Sequence, residues 1–471
     1  MENIPEYFCG YLKINNEYCA YSRNNHRVTL LPAKPAKGTI SGLKEHDHPE
    51  IKKSQFVMGV DQFGYKVAFM LTAEKKSIFN PFGITSFGAP IIIKSCGNMS
   101  DFYDTLTKEW DKFDVISFSG GVINTLYHPK LVALKRKDIK DIVQGYENFD
   151  GAATIETLPF DKYTKTIPII VDKQRADLTI SVTQSNGANN LKTYDLGYLI
   201  SFIRLEFEEP QDFTEISNYY WLVNQFCAIL VGQANIDFDV ALHQRTSDNK
   251  LFKTAICKIN DPFENYCSKA FHQVISLSHI WDHLGILIKT IRCSKDNANH
   301  ILALLPSSNK NLNRIKIDDV QKMCAALEAE YRLGLYKHDK DPQLQKLRET
   351  IKTAVKEFQK NNAVLKVNCE TTISNLYKNL DYTLADKIHH LYNHHKCDIN
   401  GLSEKFGLPK ITEGRIREFV KLRNSGAHGE MIIWGEAGSI YSLLFALSYL
   451  CFFKRLGIPG KVRTKLINQL F

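Results

Sequence analysis

The sequence predicts an α+β multidomain protein: a β-rich N-terminal part, built as a sandwich or open barrel, followed by a C-terminal all-α bundle. Three observations predict it. Up to about residue 260, apolar β-branched and aromatic runs are short and broken repeatedly by Gly and Pro. After about residue 315 the apolar residues recur at helical spacing instead. The 471-residue length exceeds what one core organises. With 44% hydrophobic and 11% aromatic residues the chain has material for real cores, which excludes wholesale disorder.

The elements follow in order. RVTLLPA (27–33) reads as a strand, and SQFVMGVDQFGYKVAFMLTA (54–73) as two strands around an Asp-Gln-Phe-Gly turn. APIIIKS (89–95) and FDVISFSG (113–120) are further strands, with one helical interruption at MSDFYDTLTKEWDKF (99–113). From about 150 the pattern turns mixed, so the N-terminal part, 1–310, subdivides near there. TIPIIVD (166–172), ADLTISVTQ (176–184) and GYLISFIRLEF (197–207) are strands, and SNYYWLVNQFCAILVG (217–232) is a helix after Pro210. IDFDVALHQ (236–244) and KTAICKI (253–259) return to strand, and 269–291 is helical. The polar stretch PSSNKNLNRIK, marking a boundary near 305–317, is a linker. The second domain, 315–471, holds helices at 318–336, 342–362, 384–395, 412–424 and 437–456, the second opening with Pro342 in its first turn.

Bulk chemistry narrows the function classes. A net charge of +9 permits an anionic partner such as RNA without demanding one. MENIPEYFCG has neither a basic nor an apolar leader region, so a cytoplasmic protein is expected. The longest apolar run, IYSLLFALSYLCFF (440–453), is too short to span a bilayer and reads as a core helix; no membrane partner is expected. Eleven scattered cysteines without a CxxC pair fit free thiols in a reducing compartment.

The stretch KLRNSGAHGE (421–430) carries the sharpest chemistry. On a helix over 412–428, Thr412 is the N-cap and Glu413 suits the positive end. Ile416, Phe419, Val420 and Ala427 form the apolar stripe, and Arg423 stands where another apolar residue belongs. A guanidinium there faces a buried partner or a cleft. Asn424 and His428, four apart, share a face. Arginine grips phosphate through a bidentate fork and histidine moves protons near neutrality, so Arg423 with His428 suits RNA cleavage through the 2′-hydroxyl. The competing reading is a polar helix end. Spacing alone does not decide, because Arg332 and His338 in RLGLYKH also match.

Arg-Asn-x-x-x-His in a C-terminal helical bundle resembles the HEPN superfamily, whose signature is Arg-x(4–6)-His. The layout looks like the Apea-like HEPN proteins of bacterial anti-phage defence. The resemblance covers 315–471 and rests chiefly on LRNSGAHG. It implies a metal-independent endoribonuclease with Arg423 and His428 as catalytic pair and Asn424 in support. It also implies a homodimer through the helical bundle, RNA as substrate, no cofactor for catalysis and a phage-derived trigger. Some HEPN domains are inactive scaffolds, which keeps a non-catalytic or nucleotide-binding reading open, with the β-rich part then carrying a ligand- or protein-binding function.

Other features carry two readings each. KIHHLYNHHKC (387–397) places His389, His390, His394, His395 and Cys397 together, and His390 and His394 have a spacing that chelates a structural zinc ion, with Cys397 or Cys369 completing the set. A polar helix C-terminus competes, since no clean four-ligand pattern exists. Tyr219, Tyr220, Trp221 and Phe226 suit base stacking or, in so apolar a helix, core packing. The basic KRLGIPGKVRTK (454–465) suits RNA phosphates or a solvated C-terminal helix.

Overall fold

The computed structural model of the chain describes residues 4–14, 17–25, 27–31, 56–72, 85–97, 109–138, 153–171, 174–185, 198–259, 269–293, 298–307, 315–334, 336, 342–379, 382–427 and 435–470. The chain divides into two compact units, residues 1–292 and 293–471.

The first unit opens with β1 (Tyr7–Ile14), β2 (Glu17–Asn24), β3 (Arg27–Leu31), β4 (Phe56–Asp61), β5 (Lys66–Thr72) and β6 (Thr85–Ser95). They pair antiparallel in the order β6-β3-β2-β1-β4-β5, and β5 returns to β6, which closes a six-stranded barrel. Inward-facing Phe8, Leu12, Tyr21, Val28, Val67, Phe69 and Ile92 fill it. So small a barrel holds side chains rather than a channel. β1 and β4 approach so closely that a Cβ on Gly10 or Gly59 would lie 1.9 or 2.0 Å from a facing carbonyl oxygen. The expected 54–73 hairpin is β4–β5. Asp61 Oδ1 accepts from the backbone N–H groups of Phe63 and Tyr65 at 2.9 Å each, and Gly64 adopts φ +84° to complete the turn.

Next come β7 (Lys112–Ser119), α1 (Gly121–Leu126), α2 (Pro129–Ala133), β8 (Leu134–Asp138), β9 (Ala153–Thr157), α3 (Phe160–Tyr163), β10 (Lys165–Val171), β11 (Gln174–Ser185) and β12 (Tyr198–Asp212). α4 (Ile216–Val231), β13 (Asp239–Arg245), β14 (Leu251–Ile259) and α5 (Leu277–Cys293) complete the unit. The sheet runs β10-β11-β12-β7-β13-β14-β6, antiparallel throughout, so β6 belongs to both barrel and sheet. It is long enough to pair β3 along its first residues and β14 along its last, while β5 holds its other edge. The architecture is therefore a closed barrel continuous with an open sheet, in place of the expected sandwich or open barrel. One sheet face is apolar: Leu178, Ile180, Ile203, Leu205, Ile116, Phe118 and Leu242 are all fully buried. Tyr219, Tyr220 and Phe226 of α4 are core residues and only Trp221 is exposed, so core packing is the role of this aromatic group. The helix expected at 99–113 lies largely outside the described residues; Lys112 and Phe113 open β7.

The second unit is helical: α6 (Asn299–Leu304), α7 (Ile317–Leu333), α8 (Pro342–Asn361), α9 (Lys366–Asn379), α10 (Leu384–His394), α11 (Lys396–Phe406), α12 (Glu413–Ala427), α13 (Tyr441–Arg455) and α14 (Gly460–Leu470). α13 is the centre, with every residue from Leu443 to Phe453 buried. It packs on α7, α11 and α14, and α7 also meets α6, α10 and α12. Where α6, α7 and α13 meet lies a polar cluster built on the buried Glu330. The Glu330 carboxylate, without solvent exposure, accepts from Arg455 Nη2 at 2.8 Å and Nε at 3.1 Å and lies 2.7 Å from His300 Nε2. Among the described residues no helix is long and apolar enough to cross a membrane.

Candidate functional site

α12 presents the arginine singled out by its sequence. Thr412 caps it, its backbone oxygen accepting from Ile416 N–H at 3.0 Å and its Oγ1 from Arg415 N–H at 3.3 Å. Ile416, Phe419 and Leu422 are buried. Leu422 thus takes a core position the expected stripe gave to Val420, which is half-buried, because the helix is rotated toward its 416–419–422 edge. Arg423 is half-buried at the margin of that face and Asn424 beside it is exposed. His428 lies outside the described residues, as does His338 of the second match; Arg332 is exposed.

Arg423 faces α7. Burial pushes the Cys324 thiol up to about 12, and the Arg423 charge pulls against that shift. Glu328, one turn along α7, is taken by Lys387 of α10, with Nζ 2.9 Å from Oε1. Of the other arginines of this unit, Arg455 holds Glu330 and Arg417 holds Glu413, whereas Arg415 and Arg463 donate to the backbone carbonyls of Lys410 and Ile458. Arg423 makes no ion pair among the described residues.

The histidine group lies on the neighbouring helix. His390 and His394 touch through their Nε2 atoms at 3.1 Å, with ring centroids 4.7 Å apart. Tyr336 lies 5.2 Å from the His394 ring and 6.1 Å from His390, stacks on Tyr331 at 6.2 Å, and carries Lys454 Nζ 4.4 Å over its own ring. Burial lowers the pKa of His394, and Lys454 adds to that. His395 is buried, with Nε2 3.3 Å from Tyr336 Oη, and burial together with Arg463, Lys454 and His394 pushes it down to about 3. His389 stacks on Tyr392. Among the described residues no group of three or more His, Cys, Asp or Glu side chains could hold a metal ion; Cys397 is exposed and Cys369 is buried on α9.

The sheet of the first unit holds a second constellation that sequence reasoning missed. On its polar face Ser117 Oγ lies 2.8 Å from His243 Nε2. Burial first, then Arg204 and Lys253, pushes His243 down to about 3, so the ring is neutral and a poor base. A cavity of about 510 Å³ opens on the same face, lined by Ser119, Asp239, Lys253, Lys258 and, from the N-terminal segment, Pro5 and Glu6. Arg23, buried inside the barrel, donates from Nη1 to the Pro5 carbonyl and so ties that segment down. The signal available in sequence was the alternation in DVALHQR, where Asp239, Ala241, His243 and Arg245 share one face.

Comparison with known protein families, curated proteins and solved structures returned no match for this chain.

Proposed function

We propose that the helical unit is a HEPN-like endoribonuclease, an RNA-cutting effector of anti-phage defence, with Arg423, Asn424 and His428 as its working residues. The observation that carries the reading is the half-buried Arg423, which has no carboxylate partner among the described residues; Arg463, half-buried too and without a carboxylate, instead gives its Nη1 to the Ile458 carbonyl at 2.7 Å. The net charge of +9 favours a polyanionic substrate. In the proposed reaction His428 removes the 2′-hydroxyl proton and the 2′-oxygen attacks the adjacent phosphorus. The 5′-oxygen leaves with a proton, giving a 2′,3′-cyclic phosphate and a 5′-hydroxyl. Arg423 neutralises the charge that develops on the phosphoryl oxygens, and Asn424 orients the strand. One pair supplies a single proton carrier, so a homodimer with two pairs across a two-fold axis serves acid and base together. The chemistry needs no metal, and a phage-derived signal acting on the first unit releases it.

The test is cleavage of total RNA in EDTA by wild type, Arg423→Ala and His428→Ala. Each substitution should lower the rate by about 10²–10⁴-fold, with cyclic phosphate ends in the wild-type products. Equal cleavage by all three, or cuts that require a metal, sinks the reading. The cavity of about 510 Å³ favours a second reading, in which the helical unit is a scaffold and the first unit binds a small charged ligand. Point changes at Arg423 would then leave function intact, and Lys253→Gln would remove it.

A further inference from the structure

On α7, Cys324, Glu328 and Tyr331 follow one another at offsets of four and three and so share a face. On α10, Lys387, His390 and His394 do the same. These two faces meet along their length. Lys387 Nζ is 2.9 Å from Glu328 Oε1, and the His390 ring lies 5.9 Å from Tyr331. α12 packs on α7 at one end of the seam, where the Arg423 charge reaches the buried Cys324 thiol, and Tyr336, His394 and Lys454 lie at the other end. Gly334 permits the closed end, because a Cβ there would lie 2.4 Å from the Tyr336 ring that folds back over α7. Seven residues of helix span about 10 Å, the reach of a short strand rather than of a lone phosphate.

The chemistry along this line is consistent. Tyr331 and Tyr336 stack at 17°, with the His390 and His394 rings set edge-on to Tyr336. Lys454 lies over this cluster, and both Lys454 and His394 are exposed. Glu328, an anion on this line, is neutralised by Lys387. Rings that stack bases, interleaved with cations that take phosphates, suit a single strand of nucleic acid. An acidic peptide would use the cations and leave the rings idle.

We propose that the α7–α10 seam is the path of single-stranded RNA. Arg423 holds a phosphate at one end, His394, His390 and Tyr331 stack bases at the other, and Lys454 takes the backbone. The proposal rests on the ribonuclease reading and names where its substrate lies.

The test uses the full chain, in EDTA at one fixed salt concentration, with a fluorescein-labelled 2′-O-methyl oligoadenylate that 2′-hydroxyl chemistry cannot cut. Fluorescence anisotropy compares wild type with His394→Ala, Lys454→Gln and, as a charge control on the exposed face of α8, Lys356→Gln. His394 and Lys454 are exposed, so the fold survives both changes, as far-UV circular dichroism will verify. His394→Ala should weaken binding about tenfold. Lys454→Gln should weaken it and lower the salt slope by about one. Lys356→Gln should change neither. Unaltered affinity in His394→Ala and Lys454→Gln overturns the seam while leaving cleavage by Arg423 intact. An equal loss in Lys356→Gln means net charge alone and also overturns it. If the wild type binds no RNA, the seam and the ribonuclease reading fall together.

Discussion

Arg423 and Glu330 show how differently two polar residues inside one bundle can be used. Arg423 drew attention because it stands where the expected stripe of Ile416, Phe419, Val420 and Ala427 calls for an apolar residue; the structure buries Leu422 in that stripe instead and leaves Arg423 at its margin. Glu330 drew none, because EAEYR reads as an ordinary solvated helix face and its partners, His300 and Arg455, lie 30 residues before it and 125 after it. The consequences differ too. Glu330→Ala leaves the Arg455 guanidinium inside without its anion and should cost about 3–5 kcal/mol, measured as a fall in the urea midpoint. Arg423→Ala removes a half-buried cation that no carboxylate balances, so stability should change little while RNA cleavage is lost. A large loss of stability in Arg423→Ala would make that residue a structural one.

Among the elements, those specified by local chemistry were legible and those specified by distant partners were not. The β4–β5 hairpin announces itself through Asp61 and Gly64. β1 and β2 escape notice: YFCGYLKI has a glycine at its centre and sends Tyr7 and Tyr11 to solvent, because only Phe8, Leu12 and Ile14 point into the barrel. Barrel closure could not be read at all, since it depends on β6 pairing with β3 on one side and β5 on the other, strands of residues 27–31 and 66–72. The α10–α11 junction carries a consequence for pH. His395 there is faced by Tyr336, His394, Asp398, Lys454 and Arg463. In the unfolded chain it takes a proton near its ordinary value of 6.5; in the folded protein it stays neutral down to about 3. Its contribution is therefore fully present above pH 6.5 and is lost as pH falls toward 3, by about 1.4 kcal/mol per pH unit. Urea unfolding of wild type and His395→Gln between about pH 7 and pH 5 should show the shallower slope in the variant. Parallel slopes would mean that the ring is solvated in the native state.

At the scale of the whole molecule, the division into a β-rich first unit and a helical second unit was legible because it follows a change of hydrophobic period. The Ser117–His243 contact and the cavity of the first unit were not, since they arise from strands brought together by the sheet. The two units are each compact, a division that gives a distinct task to each a physical basis. A nuclease that acts on RNA generally would damage its own cell, and the proposed reading therefore requires restraint in the resting protein. That restraint belongs to residues 1–292 if the division of labour follows the division of the fold. Expression of residues 293–471 alone should then arrest growth and yield RNA with cyclic phosphate ends, whereas the full chain should be tolerated. Arg423→Ala should abolish the arrest without changing the far-UV circular dichroism of the fragment. An inert, folded fragment together with an active full chain would show instead that the first unit completes the site. Toxicity that persists in Arg423→Ala would detach the effect from RNA cleavage altogether.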